Sequence, residues 1–180
     1  MRTMPRCLTC LAAVFSALLA LAACSPALNW REVRPDHTRL SLWLPCKPDK
    51  AEKVVPLGGQ PTPLLMLGCE ADGATFAVAV ADLGDAARAA PVLAVWQRLT
   101  WENMKALLAS RQALPLTISG ASAAPPVTRM AGQGRRADGS AVSGQAAYFA
   151  QGSQVFQVVM YAPQINPEAA ETFFSSLKFD

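Results

Sequence analysis

Residues Leu11 to Ala23 form an apolar run broken only by Ser16, and Ser25-Pro26 stops it. A helix that crosses a bilayer takes about 20 apolar residues. This run has 13, or 17 if counted from Cys7, and no basic residue flanks its end. Arg2 and Arg6 lie ahead of it and small residues close it, which completes the three parts of a secretory signal. Such a segment is removed, so the core has to be built from residues beyond it.

The tetrad that ends the run, Leu21-Ala22-Ala23-Cys24, resembles the lipobox of bacterial lipoproteins. The resemblance implies that residues 1–23 are a cleaved signal helix and that the Cys24 thiol carries diacylglycerol. Residues 24–27 then form a lipidated N-terminus with a short tether, and 28–180 form one domain. Each buried methylene adds about 0.8 kcal/mol, so one chain holds marginally and two or more hold stably. Lipoproteins carry at least two, which implies lasting attachment to the bilayer. Ser25 follows the cysteine, where Asp often signals inner-membrane retention, so the expected location is the outer membrane, facing the periplasm. Only Ser25, Pro26 and Ala27 separate Cys24 from Leu28. At about 3.5 Å per extended residue, the folded body begins within roughly 15 Å of the lipid.

The remaining 157 residues suit one domain with a real core. Without Arg2 and Arg6 the chain has 14 basic against 13 acidic residues, and its one basic pair is Arg135-Arg136. Nucleic-acid binding is not expected from so even a balance. Past Cys24, only Cys46 and Cys69 remain. An even pair in an oxidising compartment reads first as a disulfide. A metal site with His37, the single histidine, is the competing reading, but it has neither a CxxC nor a second His.

In chain order, Leu28 to Val33 and Leu40 to Leu44 alternate as strands do, with a polar turn from Arg34 to Arg39. Lys47 to Lys50 is a charged turn, and Lys53 to Leu57 a third strand closed by Gly58-Gly59. Leu64 to Glu70 and Thr75 to Val80 form a hairpin across Asp72-Gly73. Asp82 and Asp85 offer helix caps, and Pro91 suits the first turn of a helix running to about Ser110. Leu93, Trp96, Thr100, Met104, Leu107 and Leu108 share one face of it, expected to be core. Leu116 to Ile118 is extended, and Ala121 to Pro126 is a loop. Val127 to Arg135, Ala141 to Ala150 and Val155 to Tyr161 are the later strands. Arg135-Arg136 is expected to be a solvated hairpin end, with a phosphate or acidic partner as the alternative. Asn166, Pro167 and Glu168 then start a short helix whose apolar face is Phe173, Phe174 and Leu177.

This order, with the ending Phe173-Phe174-Ser175-Ser176-Leu177-Lys178-Phe179, resembles the PsbP-like fold and its DcrB-like bacterial lipoproteins. The resemblance implies an α+β domain, an antiparallel sheet sandwiched between helices, with the aromatic terminal helix packed on it. Domains of that kind are generally binding or assembly modules, and the family pattern supplies no catalytic residues.

The residues themselves agree. There is one His and no nucleophile elbow near it, no P-loop, no GxGxxG and no HExxH. Carboxylates such as Glu32, Asp36, Glu70, Asp72, Asp82, Asp85 and Glu102 are scattered. The expectation is a non-catalytic envelope lipoprotein without cofactor or metal, held to the bilayer by Cys24 and contacting an envelope protein. The alternative is a periplasmic small-ligand binder or weak hydrolase, with a pocket beneath the helices and Trp43, Trp96 or Trp101 in its wall. A concave site above about 300 Å³ with convergent polar groups separates the two.

Overall fold

The computed structural model describes residues 27–180; the signal segment and Cys24 lie outside the described residues. Among the described residues, ten strands and two α-helices make an α+β fold of antiparallel sheets. The strands are β1 (Arg31–Val33), β2 (Leu40–Leu44), β3 (Asp49–Leu57), β4 (Gln60–Ala71) and β5 (Ala74–Asp82), then β6 (Gln112–Leu114), β7 (Thr128–Arg135), β8 (Ala141–Gln151), β9 (Gln154–Ala162) and β10 (Lys178–Phe179). Helix α1 (Ala89–Asn103) lies between β5 and β6, and α2 (Pro167–Ser175) between β9 and β10.

Seven strands form the main sheet in the order β3-β4-β5-β9-β8-β7-β6. Because side chains alternate along a strand, the central strands supply two separate cores. On one face, Phe76, Val78, Phe149, Phe156, Val158 and Met160 meet α2 and a small sheet, β1-β2-β10. Phe173 from α2 meets Phe76 edge-on at 5.2 Å, and Phe179 packs against both Phe149 and Phe156. Each fully buried aromatic of this kind contributes about 1.5–3 kcal/mol. On the other face, Ala77, Ala79, Ala81, Ala146 and Ala150 are small, which lets α1 lie close to the sheet through Val92, Leu93 and Trp101.

The α2 start follows its sequence signals. Asn166 Oδ1 accepts from the amides of Glu168 and Ala169 at 3.0 and 3.2 Å, with Pro167 in the first turn. The Cys46–Cys69 disulfide is formed, with Cα atoms 6.0 Å apart, joining the end of β2 to β4 in the main sheet. At the sheet edges, β3 carries Lys50, Glu52, Lys53 and Pro56, and β6 has only three residues; charge, proline and brevity all discourage further pairing.

Several boundaries differ from those read in the sequence. The first strand is Arg31–Val33 alone, and β3 begins at Asp49, inside the expected charged turn. Asp85 caps a short 3-10 turn, Ala86–Arg88, ahead of α1. The larger difference is the end of α1, which stops at Asn103. The amides of Lys105 and Ala106 donate back to Glu102 and Trp101, both at 2.9 Å, and Lys105 is left-handed at φ 50. That is a Schellman closure, with Ala106 and Trp101 as its buried apolar pair. Lysine stands where glycine usually marks such an end, so the sequence conceals it. Leu107 and Leu108 therefore leave the helical face and are 73% and 78% exposed. Leu116–Ile118 forms no strand; instead Ser119 bridges to Lys178 beside β10.

Candidate functional site

Along the side of α1 that faces the β3–β4 hairpin, the helix does not cover the sheet, and a groove of about 660 Å³ runs between them. One wall is Trp96, Leu99, Thr100 and Asn103, spaced to share a face of α1; the other is Val55, Pro56, Leu57 and Leu64. Gln157 and Tyr161 of β9 are among the sheet residues that complete the lining. Both are where a strand buried on two faces would be expected to carry apolar side chains.

The polar groups among them are tied to one another. Gln157 Nε2 donates to Thr100 Oγ1 at 2.7 Å and to the Tyr148 hydroxyl at 3.3 Å, while Thr100 Oγ1 donates to the Trp96 carbonyl at 3.0 Å. Burial raises the pKa of Tyr148 against the pull of its bonds to Thr100 and Gln157. It raises Tyr161 further, with Tyr148 adding to the effect. Both phenols are neutral through the physiological range. The lining contains no Asp, Glu, His, Cys or Ser.

The two ends of the groove differ in character. The Leu57 end is apolar and lies under the start of α1, where a Cβ on Gly58 would come within 2.6 Å of Val92. At the other end stand Arg135 and Arg136, on the β7–β8 hairpin. Arg135 Nη1 donates to the Gly139 carbonyl at 3.0 Å. Among the described residues neither arginine enters a salt bridge. Asp138 of the same hairpin is held below the usual aspartate value first by the Ser140 hydroxyl and then by its amide, with Arg136 further down the order of causes.

Of the three tryptophans singled out in the sequence, Trp96 lines the groove. Trp101 is fully buried against the sheet, and Trp43 is 45% exposed on β2, which belongs to the small sheet on the opposite face. Gln157 and Tyr161 give no signal as site residues, because alternation marks only which face they take. His37 sits in an exposed turn at φ 61, with its carbonyl accepting from Gln154. The scattered carboxylates are engaged separately: Glu32 with Arg34, Asp36 with Lys50, Glu102 with Arg98, and Asp82 with Gly84 and Ser153. Among the described residues no group of three His, Cys, Asp or Glu could hold a metal ion, and no helix is long and apolar enough to cross a membrane.

No family model matches the chain, and no curated protein matches its sequence.

Proposed function

We propose that this protein is a bacterial envelope lipoprotein, anchored through acylated Cys24 and facing the periplasm, with the outer membrane favoured. Its folded part acts as a non-catalytic binding module, and the groove beside α1 is where it holds an apolar or amphipathic small molecule. The groove carries this reading. It has about twice the volume that ligand sites begin at, mostly apolar walls and a few fixed polar groups, the usual make-up of such sites. A lining without His, Ser, Cys or a carboxylate favours binding over hydrolysis. A PsbP-like relationship is supported by the layout, a sheet between α1 on one face and the Phe-rich α2 on the other.

The fluorescent probe N-phenyl-1-naphthylamine tests the site. Purified mature protein is expected to bind it saturably, with enhanced emission and energy transfer from Trp96. Asn103→Trp, at an exposed wall position, is expected to fill the groove and abolish binding while leaving the far-UV spectrum unchanged. Binding that survives the substitution places the site elsewhere. The anchor is tested separately: Cys24→Ala is expected to move the protein from the membrane fraction to the soluble one, and continued membrane association counts against it.

A further inference from the structure

One end of the main sheet gathers three features that are far apart in the chain. The chain enters there, with Leu28 packed beside the Ala71–Ala74 turn. The cationic mouth of the groove is at the same end, because Thr75 pairs with Tyr161, Ser143 with Ala162, and Arg135 with Ala141. Leu57 pairs with Gln60, at the opposite end. The third feature is the exposed Leu107-Leu108 pair, which follows Lys105 and lies beside β7, where Ser110 Oγ donates to the Gln133 carbonyl at 3.1 Å. Exposed leucines among Lys and Arg suit the interface of an anionic bilayer, where apolar tips enter and cations meet headgroups.

Leu28 is only four residues from Cys24, a reach of at most about 14 Å. A lipid on Cys24 therefore holds this end of the domain, and not the Leu57 end, next to the bilayer. We infer that the groove opens toward the membrane and takes an anionic lipid from it. The acyl chain lies along Trp96, Leu64 and Leu57, and the acidic headgroup rests on Arg135 and Arg136. The charge pattern matches such a molecule, since those arginines are the only charged residues of the lining. This inference rests on the anchored, ligand-binding reading and adds the class of ligand and its source.

The full chain, expressed in a bacterial host and purified from its membranes, is reconstituted into vesicles with brominated acyl chains, which quench tryptophan on contact. The signal is the quenching that disappears in Trp96→Phe. It is expected at roughly tenfold lower content of brominated phosphatidylglycerol than of brominated phosphatidylcholine, the scale of one or two charge contacts. Arg135→Gln with Arg136→Gln is expected to remove that preference while N-phenyl-1-naphthylamine still binds. Inorganic phosphate, against chloride of equal ionic strength, is expected to leave the quenching unchanged. Equal quenching by both lipids, a preference that survives the double substitution, or displacement by phosphate overturns the anionic-lipid assignment. Each of those results leaves the groove a ligand site, whereas failure of the naphthylamine to bind wild-type protein defeats the parent reading instead.

Discussion

The backbone amide of Arg135 donates to the carbonyl of Met104 at 2.7 Å, which bonds the end of α1 directly to β7. The approach is possible because β7 and β8 present glycine there: a Cβ on Gly134 would fall 2.0 Å from the Met104 oxygen, and one on Gly144 2.7 Å from Met104 Cε. The same contact ties the end of α1 to the strand end that carries Arg135, at the mouth of the groove, so packing and site geometry share one origin.

Gly134→Ala is accordingly expected to destabilise the domain by about 3 kcal/mol, the upper end for overpacking, because the obstacle is backbone. Gly132→Ala meets the Trp101 ring at 3.0 Å, and there a small ring shift relieves the clash; about 1 kcal/mol is expected. Urea unfolding of the two variants measures the difference. Equal midpoints would mean that the glycines do not seat the helix.

Lys105 holds a left-handed conformation that costs a side-chain-bearing residue roughly 1 kcal/mol. Lys105→Gly relieves that cost and keeps the two closing hydrogen bonds, so a gain of about 0.5–1 kcal/mol is expected. A rise in thermal midpoint checks it; a fall would show that the lysine side chain supplies more than its backbone costs.

Reduction of the Cys46–Cys69 bridge, 23 residues apart in sequence, frees a loop whose closure is worth about 3 kcal/mol. Cys46→Ser with Cys69→Ser is expected to lower stability by that amount, read from the unfolding midpoint, and the wild-type midpoint is expected to be sensitive to dithiothreitol. In unfolded, unreduced protein, both thiols are expected to be blocked to labelling.

Asp82 accepts from the Gly84 amide at 2.9 Å and from Ser153 Oγ at 2.7 Å, joining the end of β5 to the β8–β9 turn. The Gly84 bond first, then the Ser153 bond, holds its carboxyl below the usual aspartate value. Its contribution to stability is therefore complete above the unfolded pKa and is lost as pH falls through the lowered folded value. Asp82→Asn is expected to melt below wild type at neutral pH, with the gap closing as the solution is acidified beneath the ordinary carboxylate range. A gap that stays constant with pH would mean the charge plays no part.

Legibility varies with the kind of signal involved. Short apolar runs bounded by turn signals place strands such as Val155 to Tyr161 closely, and Asn166-Pro167 marks its helix start. The end of α1 is hidden because the Schellman turn uses lysine, and its apolar partner is an alanine. The groove is hidden for a different reason. Trp96 and Thr100 occupy ordinary core positions in the helical pattern, and only the gap between α1 and the β3–β4 hairpin turns them into a wall. Likewise Lys178-Phe179 has neither turn nor alternation cues, and becomes β10 because β2 is there to pair with it.

Local chemistry alone decided most of the segments that are extended or helical, where most turns fall and which two cysteines were available to join, since each depends on neighbours within a few residues. Which strand lies beside which, how far α1 stands from the sheet, and that Arg135, Leu107 and Leu28 share one end are long-range matters of register and close packing. Residues as far apart as Leu40 and Phe179 settle them together, and no short stretch of the chain carries that information.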